Sequence, residues 1–299
     1  MRHIRIAIIG TGAVGSTIAY TLVLKNSATE IVLIDTDTER CQGEVMDLVD
    51  VMGFSRTTKI YQGTYADAKK ADIIIISAGK PQKIGESRSA LLEANKAIMK
   101  SILSELRGLN VEALLMVVTN PLDSLTYYVQ QWCELPRAQV FGTGTFLDSQ
   151  RLKHLISSFA GVAVQSVEAF VLGEHGDSQI VAWSATRIAG GPVENHGITV
   201  EMKQELARVV KAEAYEIIKT KGATFYGIAA CVAQLCDMII YDSKQVVPVS
   251  WYHERYNVCM SLPVIVGKSG VEKVLPYSLS DEEVQGLELS AALLRKRLL

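Results

Sequence analysis

The chain has 299 residues, of which 48% are hydrophobic and 21% are charged, close to the average for a globular protein. It carries 30 Lys and Arg against 32 Asp and Glu, and this formal charge of −2 argues against the basic footprint of a nucleic-acid-binding protein. The composition also excludes disordered, collagen-like and disulfide-scaffold proteins, and the length is typical of two domains.

The cysteines and histidines form no metal or disulfide pattern. The five Cys include no C-x-x-C pair and the five His no i,i+4 pair, so we expect reduced thiols, no metal site and a cytoplasmic protein. No apolar run reaches the roughly 18 residues that a membrane helix requires. Basic residues before an apolar stretch at 6–24 mimic a secretion signal, but glycines interrupt that stretch, and a strand, turn and helix explain it better.

The first half of the chain alternates short apolar runs with amphipathic ones, which predicts a parallel, doubly wound sheet in an α/β domain. Strands are predicted at residues 4–9, 30–34, 59–62, 73–77 and 113–118, and helices at 16–24, 38–52 and about 91–106. The second half indicates an α+β arrangement. Its predicted helices are 147–159, 200–219, 224–241 and one from 281, and its strands are 167–172, 246–251, 258–262 and 271–275, with a hairpin near 190–191.

A glycine-rich turn follows the first predicted strand and opens the first helix. Gly10, Gly12 and Gly15 have the spacing G-x-G-x-x-G, which permits a tight turn, close approach of a pyrophosphate and close helix packing. Asp35 ends the second strand, 20 residues past Gly15. In dinucleotide-binding domains an acidic residue at this place accepts a hydrogen bond from a ribose 2′-hydroxyl. The alternative is an ordinary glycine-rich turn; an NTPase loop would need Lys at the position of Ser16.

This combination predicts a Rossmann-type domain at residues 1–143 and a substrate and catalytic domain at 144–299. A carboxylate at Asp35 repels a 2′-phosphate, so the expected cofactor is NAD rather than NADP. The cofactor contacts predicted from this turn are Gly10, Gly12, Val14, Gly15 and Asp35.

Four further segments place polar side chains at the ends of apolar runs: 79–88, 118–121, 142–151 and 173–177. The first two follow strands, at the edge where open parallel sheets bind ligands. Each also has an ordinary interpretation, as a strand-ending turn, a solvated first turn of a helix, a surface ion pair or a loop histidine. Together, behind a dinucleotide turn, they favour a functional site.

With these motifs, nearly the whole chain resembles the L-lactate and malate dehydrogenase family. The resemblance implies that His175 in Gly-Glu-His-Gly-Asp donates and accepts the proton, and that Asp148 orients this imidazole and raises its pKa. It implies that Arg151 grips the substrate carboxylate through two hydrogen bonds and that Arg88 polarises the reacting C–O bond from a mobile loop.

The resemblance also assigns residues to the substrate pocket and the cofactor. Asn120 matches a residue that contacts both substrate and nicotinamide, and Thr224 matches one that lines the substrate pocket. Gly79 and Thr119 are expected to contact the cofactor. The implied activity is hydride transfer between NAD and a small 2-hydroxy acid, as in glycolysis and fermentation.

Gln82 bears on the choice of acid. In the family, lactate enzymes carry Gln at this position and malate enzymes Arg, because a second buried carboxylate requires a cationic partner. Gln82 therefore predicts pyruvate and L-lactate. Lys80, Lys83 and the small Ala223 leave open a malate or broader 2-hydroxy acid enzyme.

Regulation and assembly complete the expectations. Family members activated by fructose 1,6-bisphosphate carry an Arg and a His where this chain has Lys153 and Glu168, so no such activation is expected. The resemblance implies a homotetramer or a dimer. A non-catalytic NAD(H)-binding protein is the alternative from another class, because a fold does not establish a function.

Overall fold

One sheet of nine strands runs through the part of the chain described by the computed structural model, which is residues 3–57, 59–81 and 88–298, excluding the Arg88 side chain. In the first half the elements are β1 (Arg5–Ile9), α1 (Ala13–Lys25), β2 (Glu30–Ile34), α2 (Thr38–Val51), β3 (Lys59–Gln62), α3 (Tyr65–Ala68), β4 (Ile73–Ile76), α4 (Arg88–Glu105), β5 (Leu114–Val117), α5 (Leu122–Trp132) and β6 (Val140–Gly142).

These six strands are parallel and lie in the order β3-β2-β1-β4-β5-β6, which is the order of a dinucleotide-binding sheet. The predicted α/β class and doubly wound sheet are confirmed. Each of the five predicted strands agrees with the structure to within one residue at either end.

Helices cover both faces of this sheet, which explains why its strands are apolar throughout. In β4, Ile73 and Ile75 pack into the same hydrophobic cluster as residues of α1 and α8 (Tyr226–Ile240). Ile74 and Ile76 pack on the opposite side, with residues of α4 and α5. Full burial of each such side chain contributes about 1.5–3 kcal/mol, so the sheet is a rigid platform for the residues at its edge.

The second half adds mixed structure to this platform. Its elements are α6 (Phe146–Ala160), β7 (Val167–Glu168), β8 (Val171–Leu172), β9 (Ile180–Val181), β10 (Arg187–Ile188), β11 (Gly191–Pro192), α7 (Val200–Lys221), α8, β12 (Gln245–His253), β13 (Val258–Gly267), β14 (Gly270–Val274) and α9 (Asp281–Leu298). The expected hairpin at 190–191 is the antiparallel pair β10–β11.

The two halves are joined directly. Antiparallel β12 meets β6 through the pair Ser250 and Gly142, so β12, β13 and β14 extend the parallel sheet. Helix α8 packs on α1, and Asp237 accepts a hydrogen bond from Ser27 at 2.7 Å. The predicted boundary after residue 143 falls between β6 and α6; the division into two domains stays a prediction.

The predicted secondary structure was incomplete. The sequence did not predict α5 or β6, which lie between the fifth predicted strand and α6, or the short elements α3 and β9. The single strand predicted at 167–172 is instead two short strands in different sheets: β7 pairs with β10, and β8 pairs with β9. β8 leads directly into the loop that carries His175.

Candidate functional site

The glycine-rich turn has the shape that a dinucleotide requires. Gly10 has a φ of +100°, and a Cβ there would lie 2.4 Å from the backbone nitrogen of Ala78. A Cβ on Gly15 would lie 1.8 Å from the carbonyl oxygen of Gly10, so α1 approaches β1 closely only because residue 15 is glycine. At Gly12, by contrast, a Cβ would meet nothing within 4 Å. The turn is packed on one side and open on the other.

The open side faces the beginning of α1. Gly12 is the N-cap of this helix and supplies no side-chain cap, so the first backbone N–H groups, including that of Val14, have no side-chain acceptor from the cap. Those N–H groups and the positive end of the helix dipole suit a phosphate. The residues of the turn therefore fit the pyrophosphate of NAD.

Asp35 is held at the end of β2 by the same turn. Its Oδ2 accepts hydrogen bonds from the backbone N–H of Thr11 at 2.6 Å and from the Thr11 hydroxyl at 3.1 Å, and its Oδ1 accepts from the N–H of Asp37 at 3.0 Å. Burial opposes ionisation, but these hydrogen bonds outweigh it and lower the pKa of Asp35. An ionised carboxylate keeps further acceptor capacity for a ribose hydroxyl.

Gly79, Thr119 and Asn120 gather at the ends of β4 and β5. A Cβ on Gly79 would lie 2.3 Å from Cγ2 of Thr119, so the two residues are in contact. The Thr119 hydroxyl donates to the carbonyl of Ala78 at 2.8 Å. The fully buried Asn95 accepts from the N–H of Lys80 at 2.8 Å and donates to the carbonyl of Asn120 at 2.7 Å. Asn95, which the sequence did not single out, thus ties both strand ends together.

His175, Asp148 and Arg151 form the second part of the site. Asp148 and Arg151 lie one turn apart on α6 and are both buried. Oδ2 of Asp148 lies 2.7 Å from Nδ1 of His175, and Oδ1 accepts from Nη1 of Arg151 at 3.2 Å. The structure therefore brings together three residues that the sequence placed in two separate motifs.

The electrostatics of this cluster favour ion pairs. Burial opposes ionisation of Asp148, yet the charges and hydrogen bonds of His175 and Arg151 lower its pKa. Burial also opposes protonation of His175, but the Asp148 carboxylate outweighs it and raises the pKa of His175. Because ionised Asp148 only accepts hydrogen bonds, Nδ1 of His175 carries a proton, and Nε2 is the ring nitrogen that can gain or lose one.

Two neighbouring elements complete the surroundings of Arg151. Nε of Arg151 lies 3.4 Å from Oε1 of Glu213 on α7. The hydrogen bond to Asp148 uses one of the five guanidinium N–H groups, which leaves donors for a substrate carboxylate. Thr224 is half-buried in the turn between α7 and α8. A Cβ on Gly227, just beyond it, would lie 2.9 Å from Leu147, the neighbour of Asp148.

Two of the predicted site residues lie wholly or partly outside the described part of the chain. Gln82 lies outside the described residues, and so does the side chain of Arg88, whose backbone begins α4.

Asp123, which the sequence analysis missed, is buried against the backbone of His175. Its signal in the sequence is only its position, three residues after Asn120.

The described ranges contain no candidate metal cluster, no membrane-spanning helix and no disulfide. In residues 3–57, 59–81 and 88–298, no group of three or more His, Cys, Asp or Glu is arranged to hold a metal ion. Within the same ranges, no helix has the length and apolar character needed to cross a membrane. All five cysteines lie in the described part of the chain and are free thiols.

The open side of the turn generates a prediction. Gly12→Ala is expected to fold with an unchanged melting temperature, because its Cβ meets no protein atom, but to occupy space that the pyrophosphate needs. We expect the Kd for NADH, measured by fluorescence titration, to rise at least about tenfold. The matched control is Gly43→Ala, at an exposed position in the middle of α2 where a Cβ also meets nothing within 4 Å. Equal NADH affinity of both variants would contradict the assignment.

Comparisons with known proteins agree with this geometry. Residues 4–142 match the family model for the lactate/malate dehydrogenase NAD binding domain, and residues 145–298 match that for the lactate/malate dehydrogenase alpha/beta C-terminal domain. An L-lactate dehydrogenase of Acetivibrio thermocellus is 40% identical over 98% of this chain and 95% of its own length. L-lactate dehydrogenase A of Rhizopus oryzae is 42% identical over 94% of this chain and 88% of its own length.

Solved structures give the same result. A lactate dehydrogenase from a Medee basin deep-sea metagenome library superimposes with a TM-score of 0.95 at 34% identity, covering 100% of this chain and 98% of that one. The ligand-bound minor L-lactate dehydrogenase of Enterococcus mundtii gives a TM-score of 0.93 at 34% identity, covering 99% of this chain and 98% of that one. With both family models matched over nearly its full length, the chain belongs to the lactate/malate dehydrogenase family and carries its NAD-binding domain.

Proposed function

We propose that this chain is an NAD-dependent L-lactate dehydrogenase that interconverts pyruvate and L-lactate. The observation that carries the proposal is the buried cluster in which Asp148 contacts both His175 and Arg151. It combines a proton-transferring imidazole with a guanidinium that suits a carboxylate, which are the two groups that oxidation of a 2-hydroxy acid requires. Relatives at about 40% identity that are named L-lactate dehydrogenase support the choice of reaction.

His175 acts as the general base and acid. In lactate oxidation its Nε2 takes the hydroxyl proton, and in pyruvate reduction the same nitrogen returns it. Asp148 keeps Nδ1 protonated and stabilises the imidazolium. Since the pKa of His175 is raised, the protonated form persists to higher pH than in a free histidine. Pyruvate reduction is therefore lost, and lactate oxidation gained, as the pH rises through that pKa.

The cofactor supplies or accepts the hydride when it is bound. The turn at Gly12 would hold its pyrophosphate, the Asp35 carboxylate would accept a hydrogen bond from a ribose hydroxyl, and Gly79, Thr119 and Asn120 would lie beside the nicotinamide; the open side of the turn and the packing of Gly79 on Thr119 support this placement. The Asp35 carboxylate disfavours a 2′-phosphate. This residue selects NAD over NADP.

Arg151 binds the substrate carboxylate through two hydrogen bonds, and Thr224 lines the pocket beside it. Arg88, whose backbone begins α4, is assigned to polarise the carbonyl of pyruvate. Gln82 is assigned to the choice of substrate, because an uncharged side chain suits the methyl group of pyruvate and gives a second carboxylate no cationic partner. A malate enzyme, or one for larger 2-oxo acids, is the alternative that substrate assays distinguish.

The proposal extends to assembly, location and regulation. We expect a homo-oligomer, either a tetramer or a dimer, in the cytoplasm.

Glu168 is exposed on β7, and burial lowers the pKa of Lys153, an effect that the nearby Glu168 opposes. A carboxylate at this position repels a sugar bisphosphate, so fructose 1,6-bisphosphate is not expected to activate the enzyme.

Replacement of the proposed base tests the mechanism. His175→Asn is expected to lose at least about a hundredfold in kcat for pyruvate, because no group remains to deliver the proton. NADH binding, measured by fluorescence, should be retained. Turnover is followed as loss of NADH absorbance. The control is His154→Asn, which changes an exposed histidine on the same helix as Asp148. Undiminished activity of His175→Asn would remove the assignment.

The residue at position 82 is expected to decide the substrate. Wild type should favour pyruvate over oxaloacetate in kcat/KM, and Gln82→Arg should shift this ratio toward oxaloacetate by about tenfold or more, because the guanidinium pairs with the second carboxylate. Gln285→Arg, which adds the same charge at an exposed position of α9, should leave the ratio unchanged. A wild type that turns over oxaloacetate as well as pyruvate would refute the choice of lactate.

A further inference from the structure

Asp123 lies in the first turn of α5 and is almost fully buried, with 3% exposure. Its Oδ2 accepts a hydrogen bond from the backbone N–H of His175 at 2.7 Å. Its Oδ1 accepts one from the hydroxyl of Ser250 on β12 at 2.6 Å. Both oxygens are thus fixed by groups from two other parts of the chain. Burying a carboxylate costs free energy even when both of its oxygens accept hydrogen bonds, so its presence here points to a role beyond packing.

The position of α5 connects the two parts of the site. Pro121 is the N-cap of α5, so Asp123 follows within one turn the strand end that carries Asn120. Asn95 holds the carbonyl of Asn120 from one side, and Asp123 holds the backbone of His175 from the other. The residue that borders the nicotinamide and the residue that moves the proton are therefore joined through one rigid helical turn.

We propose that Asp123 is a positioning residue for proton transfer: it fixes the backbone of His175 and supplies a second negative charge beside the imidazole. This inference rests on the proposed role of His175 as acid and base. Asp148 sets the direction of the ring through Nδ1, and Asp123 sets the place of the main chain from which the ring extends. With both fixed, Nε2 is held at one point of the site.

The charges around Asp123 agree with such a role. Burial raises the pKa of Asp123 to about 6, although the Ser250 hydrogen bond and His175 oppose this rise, so Asp123 is mostly ionised at pH 7. Burial lowers the pKa of His175, and the charge of Asp148 opposes this. The charge of Asp123 also raises the pKa of His175, by less than Asp148 does.

Other groups packed around Asp123 act less directly. Glu174 repels its charge but is paired with Arg297 of α9. Cys259 on β13 is a neutral thiol there, because burial raises its pKa well above the usual value. On α6, Asp148 and Arg151 interact electrostatically with His175. Asp123 therefore acts on the proton of His175 alongside Asp148, while the adjacent carboxylate Glu174 has its own cationic partner.

The variant Asp123→Asn separates charge from geometry. The amide oxygen can still accept from the N–H of His175, and the amide nitrogen would donate to the hydroxyl oxygen of Ser250, which reverses the direction of that hydrogen bond. The charge is lost while the shape of the side chain is nearly preserved. If Asp123 were needed for packing alone, this variant would leave the titration of His175 unchanged.

The experiment follows the imidazole of His175 by NMR across pH, in full-length protein labelled with ¹³C at histidine Cε1, with the signal assigned from the His175→Asn variant. In Asp123→Asn the midpoint should fall by about half a pH unit or more. The falling limb of kcat/KM for pyruvate should move to lower pH by the same amount. Glu30→Gln neutralises an equally buried carboxylate on β2, paired with Arg5, and should shift neither midpoint.

Ser250→Ala provides a second variant if Asp123→Asn does not fold. Loss of the Ser250 hydrogen bond raises the pKa of Asp123, so a smaller fraction of Asp123 is ionised. The midpoint of His175 should therefore fall, by less than in Asp123→Asn. An unchanged His175 midpoint in the folded variants overturns the inference. If wild type does not turn over pyruvate, the proposed function fails, and the NMR titration still decides the role of Asp123.

Discussion

The candidate functional site depends on the ion pairs of one buried carboxylate, Asp148. A carboxylate with a 5% exposed side chain takes up a proton unless charged partners oppose it. Arg151 on one oxygen and His175 on the other lower its pKa, so Asp148 stays ionised and sets the tautomer of the imidazole. The same contact keeps Arg151 beside the ring. In the proposed mechanism, the group that binds the substrate carboxylate and the group that exchanges the hydroxyl proton are therefore held by the same carboxylate.

Local patterns were sufficient to predict most of the fold. Strands such as β4, four isoleucines buried on both faces, produce an apolar run that needs no tertiary information. Helix α5 escaped prediction because its buried residues include Asp123, Ser124, Thr126 and Gln130, which mask the helical hydrophobic period. Strand β6 has three residues, too few to establish any period. Both are defined by neighbours distant in the sequence.

The residues of the site also form two groups, those that the sequence predicts and those that only the structure reveals. The glycine turn, Asp35 and the pair Asp148 and Arg151 have fixed spacings that reflect a turn or a helix, so the sequence reveals them. Asp123 and Ser250 are separated by 127 residues and meet only because β12 joins the sheet beside β6. No local pattern marks such a meeting. The polar residues that support the proposed catalytic groups were therefore found from the structure alone.

The most direct measurement is the pH dependence of kcat/KM for pyruvate in Asp148→Asn, which removes the anchoring charge while nearly preserving side-chain volume. Loss of that charge should lower the pKa of His175 and allow the other tautomer. We expect kcat/KM at pH 7 to fall about a hundredfold or more, with the falling limb of the profile at lower pH. A variant with wild-type kcat/KM and an unshifted profile would contradict the central role of Asp148.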